Sequence, residues 1–244
     1  MRASFDIITI ITIIFFYPLV SLAQSGIYQF EYIETIQNFS SPTGQVDIIV
    51  EPETYVPSFY KGKAEPTAGN PLRLIAVPSG LEETNLTYKW SINRNPSINT
   101  SQNIRVTAPY AENMLVSLRV TNPEGTLLAE RDEYVTLSSP EIIFYENNSL
   151  RGISRIAIGS EHNLIGKEVL ISTEPYFIGD INSPNLSVNW EVDGQDQTMV
   201  SDWKNVALSK PEDQAESVLI NLNIRNNLNL SESTKEHFLL KFEI

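Results

Sequence analysis

Asn85-Leu86-Thr87-Tyr88-Lys89-Trp90-Ser91-Ile92-Asn93 returns one hundred residues later as Asn185-Leu186-Ser187-Val188-Asn189-Trp190-Glu191-Val192-Asp193. In each copy the apolar residues occupy alternate positions, which places them on one face of a strand. A single large aromatic at the centre of such a face is the residue a small β-sandwich is built around, so Trp90 and Trp190 are assigned to two cores. Self-similarity at this long a spacing denotes two copies of one small β domain rather than one large fold.

The flanks repeat the same order. In the first copy, strand signals at 46–50 and 72–77 precede the tryptophan strand, and 104–106, 114–121 and 127–137 follow it, with Asn122-Pro123-Glu124-Gly125 as a hairpin turn. In the second, 141–145 and 153–158 stand for a split first strand, followed by 168–173, the tryptophan strand, 206–208, 218–224 and 237–244. The last signal runs to the end of the sequence, so no C-terminal anchor is expected. Residues 51–71 hold Pro52, Pro57, Pro66 and Pro71, which keeps them out of a sheet interior; an edge strand with an irregular crossing is expected. The break between copies, Ser138-Ser139-Pro140, is short, which implies a restricted mutual orientation.

The N-terminus sets the compartment. An apolar run at 7–22 ends in Ser21-Leu22-Ala23, with small residues where a signal peptidase cleaves. The run is shorter than the about 20 residues of a membrane span. Asp6 and the single early cation Arg2 are unusual for a signal, which keeps an uncleaved membrane anchor as the alternative. The expected order is a signal peptide (1–23), a lead-in (24–45), and two antiparallel β-sandwich domains at 46–139 and 140–244. In the lead-in, Ile27, Phe30, Ile33 and Ile36 suit a short helix, while Tyr28, Tyr32 and Thr35 suit an extended segment equally.

Composition removes several classes of function. The 244 residues contain no cysteine, which excludes disulfides, a lipidated cysteine, thiolate metal sites and a thiol nucleophile. With 17 Lys+Arg against 30 Asp+Glu the net charge is −13, and no basic cluster offers itself to nucleic acid.

Val116-Ser117-Leu118-Arg119-Val120-Thr121-Asn122 followed by Gly125, with Pro109-Tyr110 and the strand around Trp90 before it, resembles the PKD-type immunoglobulin-like domain of bacterial surface proteins. The second copy, with Trp190 and 219–226, resembles it more loosely. Both depart from that family after the tryptophan, where Ile92-Asn93-Arg94-Asn95 and Val192-Asp193-Gly194-Gln195 replace its Gly-Asp-Gly turn. The resemblance implies a spacer, adhesion or protein-contact module outside the cell, and no chemistry.

Candidate sites are few. His162, in an expected loop, and His237, at the expected start of the last strand, are the only histidines, and no nucleophile elbow, phosphate loop or zinc-binding helix motif accompanies them, so no enzyme is expected. Asp193, Asp196 and Asp202, with Asp180 before them, lack the spacing of a calcium loop, and neither a metal nor a cofactor is expected. Six Asn-x-Ser/Thr triplets, among them Asn85 and Asn229, are close to what chance supplies. The candidate contact surface is aromatic: Tyr55, Phe59 and Tyr60 in the proline-rich crossing, and Trp203, which has no expected counterpart in the first copy. The expected partners are other envelope proteins or surface glycans, with no nucleic acid, and membrane only if 7–22 stays attached. The expected function is a non-catalytic, exported contact, adhesion or spacer module; the alternative is a carbohydrate-binding or accessory subunit of an envelope enzyme.

N-terminal sequencing of the exported protein is expected to begin at Gln24; Met1 retained on a membrane-bound form would establish the anchor instead.

Overall fold

The structure, a computed structural model, describes residues 44–82, 84–197, 202–210 and 216–242. The signal-peptide and anchor readings, and the lead-in up to residue 43, lie outside the described residues. The described residues are all β. In the first copy the strands are β1 (Gln45–Pro52), β2 (Pro71–Ser79), β3 (Thr87–Ile92), β4 (Asn95–Pro96), β5 (Asn103–Thr107), β6 (Asn113–Thr121) and β7 (Leu127–Thr136). The second copy has β8 (Glu141–Asn148), β9 (Gly152–Ala157), β10 (Glu161–Leu164), β11 (Glu168–Tyr176), β12 (Leu186–Val192), β13 (Gln195–Gln197), β14 (Asn205–Ser209), β15 (Ser217–Asn226) and β16 (Ser233–Phe242).

The two copies match sheet for sheet. The first pairs a β1-β2-β5 sheet with β4-β3-β6-β7; the second pairs β9-β8-β11-β14 with β13-β12-β15-β16, extended at its other edge by β10. Within each sheet the neighbours are antiparallel, except that β10 runs parallel to β16. The short returns β4 and β13 escaped the sequence patterns because two or three residues carry no periodicity. His162 therefore lies in strand β10 rather than in a loop, and His237 lies within the last strand, which begins at Ser233.

Alternation drives the packing. In β2, Leu72, Leu74 and Ala76 point inward with no exposed surface and meet Met114, Val116, Leu118 and Val120 of β6 across Trp90. In the second core Phe144 lies 5.8 Å from Trp190 and 5.0 Å from Phe238, measured between ring centroids. Trp90 and Trp190 are 1% and 5% exposed, and each indole N–H donates to a backbone carbonyl, of Ser101 at 2.9 Å and of Trp203 at 3.1 Å. Those acceptors each precede the next strand by two residues, so Trp203 has Ser101 as its structural counterpart.

The turns after the tryptophan strands also correspond. Asn93 and Arg94, and Asp193 and Gly194, all have positive φ, as a two-residue hairpin requires. Asn93 exchanges bonds with the Leu115 backbone through its own N–H and its side-chain oxygen, and Asp193 does the same with Leu219. Two different residues thus serve one geometry, because both tolerate left-handed backbone and both offer an acceptor.

Trp90→Ala and Trp190→Ala are each expected to lower stability by about 3–5 kcal/mol in denaturant unfolding, with the larger spectroscopic change in the sandwich that carries the substitution. A loss below about 1 kcal/mol would mean that the indole does not fill its core.

Candidate functional site: the strap between the sandwiches

The proline-rich segment between β1 and β2 neither forms an edge strand nor stays with its own sandwich. It leaves β1 at Pro52, crosses to the second sandwich and returns to β2 at Pro71, its base closed by Glu53 N–H donating to the Pro71 carbonyl and the Thr54 hydroxyl donating to the Glu65 carbonyl. Proline rigidity suits such a strap, since a chain with few accessible conformers loses less entropy on being laid across a surface.

Its backbone docks first. Tyr55 N–H donates to the Ile178 carbonyl and Phe177 N–H donates to the Tyr55 carbonyl at 2.8 Å, forming a one-residue antiparallel bridge. Phe177 sits at φ +60, a left-handed conformation unusual for an aromatic residue and costing on the order of 1 kcal/mol. Its carbonyl accepts the Thr67 hydroxyl at 2.8 Å, so the strap holds both polar groups of the strained residue. Ser138, at the boundary between the copies, donates its N–H to the Pro66 carbonyl and its hydroxyl to Glu65.

Side chains complete the joint. Glu174 on β11, 7% exposed, accepts Lys204 Nζ at 3.0 Å and the Tyr55 hydroxyl at 3.4 Å, while Lys204 Nζ also reaches the Tyr55 oxygen at 3.1 Å. Burial acts to lower the Lys204 pKa, but the hydrogen bonds to Tyr55 and Glu174 and the Glu174 charge outweigh it and raise the pKa above the ordinary lysine value. Tyr145 and Tyr176 lie beside this network with hydroxyls 3.3 Å apart. Burial, followed by that hydrogen bond, pushes the Tyr176 phenol well above its usual range.

A second seam lies at Gly69 and Gly179. Gly69, at φ +78, approaches Asn229 so closely that a Cβ would stand 2.6 Å from its amide. A Cβ on Gly179 would meet Asn70 Oδ1 at 2.7 Å and Glu232 Oε1 at 2.8 Å. Asn229 donates to the Ala68 carbonyl at 3.0 Å, so the amide of this glycosylation triplet is already engaged across the seam.

The candidate aromatics thus separate. Tyr55 is half-buried in the joint; Phe59 (47% exposed) and Tyr60 stand edge-on to Tyr145 and Tyr176 on the second sandwich. Trp203 is half-buried and packs against the second core, away from any open platform. The aspartates serve turns: Asp180 and Asp202 accept backbone N–H groups, and Asp196 accepts the Asn189 amide. Among the described residues no three His, Asp or Glu side chains converge as metal ligands. His162 lies 3.9 Å from Glu146 and His237 the same distance from Glu236. Sequence reading missed Glu174, Lys204 and Phe177, which carry no local motif; the uninterrupted burial of β11 from Ile171 to Tyr176, which sets Glu174 apart, exists only in the folded structure.

No family model matches the sequence, and no curated protein matches it. Solved structures similar to it include three N-terminal domains of the Highly Immunogenic Outer Capsid protein (Hoc) of bacteriophage RB49, at 14% identity and a TM-score of 0.46, covering 82% of this chain. This chain spans 59% of that Hoc chain. The fibronectin(III)-like modules of Clostridium thermocellum CbhA match at 10% identity and TM-score 0.26, over 80% of this chain and 94% of that one. Immunoglobulin domains 1–4 of Sidekick-1 match at 11% identity and TM-score 0.26, over 80% and 74%. The chain's own paired antiparallel sheets, β1-β2-β5 against β4-β3-β6-β7 and their counterparts in the second copy, make the fold all-β and immunoglobulin-like.

Glu174→Gln is expected to cost about 1–3 kcal/mol near neutral pH, as a charged hydrogen bond is lost. Because the Lys204 pKa is raised in the fold, the stabilisation is complete below the ordinary lysine value of about 10.4 and is lost as pH rises through the folded value. Denaturant melts of the two proteins should therefore converge at alkaline pH; a constant gap would place the effect elsewhere.

Proposed function

We propose that this chain is a non-catalytic, extracytoplasmic contact module, used for adhesion or as a spacer, whose two sandwiches are held as one body and present a surface to another component of the cell envelope. The observation that carries this reading is the strap. A backbone bridge, a half-buried ion pair and two glycine-dependent close approaches join the copies, and none of these groups is arranged to attack a substrate. A module that must hold something at a set distance or angle benefits from such a joint, because a freely swinging linker would spread the partner's position and add ordering entropy to every contact. Against catalysis stands the pairing of the two histidines: His162 lies beside Glu146 and His237 beside Glu236, and among the described residues neither is hydrogen-bonded to a serine as a hydrolytic triad requires. Export rests on the signal-like N-terminus.

A second reading, as a carbohydrate-binding or accessory subunit, is favoured by the exposed Phe59 ring beside Tyr60, since ring faces of this kind stack on sugars.

The test joins geometry to binding. Small-angle scattering of the full chain should give one interdomain distance, and Gly69→Ala, which meets both the positive φ and the Asn229 amide, should broaden it. Crosslinking in intact cells is expected to join the wild-type chain to an envelope protein and to do so less in the Gly69 variant. Turnover of any substrate that is lost on changing His162 or His237 would overturn the reading.

A further inference from the structure

The strap and the outer face of the second sandwich enclose a cleft of about 640 Å³. Its floor is Tyr145 and Tyr176, 8% and 4% exposed, and its wall is Phe59 and Tyr60. The wall rings stand edge-on to the floor, Phe59 to Tyr145 at 5.8 Å and Tyr60 to Tyr176 at 5.3 Å between centroids, so each buried ring braces an outer one. Lys61 and Arg155 stand at the mouth, both exposed. No carboxylate lines the cleft, and among the described residues neither cation takes part in an ion pair.

We propose that this cleft binds a saccharide bearing a carboxylate, such as a uronic acid residue, with the C–H face of the sugar ring on Phe59 and Tyr60 and the carboxylate between Lys61 and Arg155. Braced aromatic rings with phenol hydroxyls offer what a pyranose presents, an apolar face rimmed by hydrogen-bonding groups. The charge argument selects the acid. On a chain of net charge −13 most of the surface repels anions, and two cations beside an acid-free cleft mark a place that attracts one. Arginine's planar fork suits a carboxylate, and such charge-assisted bonds are among the stronger ones available. An extended peptide is the less suitable occupant. The nearest sheet edge is β9, whose pairing with β8 shifts register between Tyr145 and Asn147, and a bulged edge is a poor template for another strand. This inference goes beyond the contact reading and holds whether or not a protein partner is found.

Titration calorimetry of the full chain with trigalacturonate and trimannuronate, each beside its neutral methyl ester, and with an acidic aromatic peptide, tests the proposal. A uronate is expected to bind at least about tenfold more tightly than its ester, with the advantage shrinking as salt is raised. Lys61→Gln and Arg155→Gln should bring the acid down to the level of the ester without moving the melting temperature, because both side chains are exposed. Phe59→Ala should weaken acid and ester alike. Equal affinity for acid and ester, absence of saturable binding by either uronate at millimolar concentration, or preference for the peptide would each overturn the proposal.

Discussion

Tyr55 and the Phe177–Ile178 segment exchange backbone hydrogen bonds across the gap between the sandwiches, and much of the molecule is arranged around that exchange. It holds Phe177 in a left-handed conformation that an isolated chain would leave. It also lays the strap over the outer face of the sheet containing β11. In a free sandwich that face would meet water and β11 would alternate in burial; instead Ser172, Glu174 and Tyr176 are as buried as the core-facing Ile171 and Thr173. A carboxylate in that position needs a partner, and Lys204 supplies it.

The glycines at 69 and 179 follow from the same constraint. Two curved surfaces that meet along polar edges must bring backbone close to side-chain amides and carboxylates, and any Cβ at these positions would occupy the place of an atom already there. Glu232, 1% exposed, closes the second sandwich's side of the seam: its two oxygens accept Gly179 N–H at 2.6 Å and the Asn226 amide at 2.5 Å, so both polar atoms of this buried side chain are satisfied.

The duplication itself shows which features a β-sandwich preserves. Asn93 and Asp193, and Ser101 and Trp203, occupy matching positions with dissimilar side chains, yet the bonds they make are the same. What recurs is a backbone carbonyl for the indole and an acceptor in the turn. The side chain of Trp203 was then free to pack on the second core, where the first copy has only a serine.

The sequence by itself determined the elements that local chemistry controls. Alternating apolar positions placed nearly every long strand and the two tryptophans, because a period of two leaves a strand one choice of buried face. Proline spacing kept 51–71 out of a sheet interior, but where that segment would go depended on surfaces far along the chain. Phe177, Glu174 and Lys204 lie more than one hundred residues from Tyr55, and no local pattern records their meeting. Phe59 and Tyr60 were legible as aromatics; that they are braced by Tyr145 and Tyr176 and flanked by Arg155 was decided only when tertiary packing brought the strap against the second sandwich.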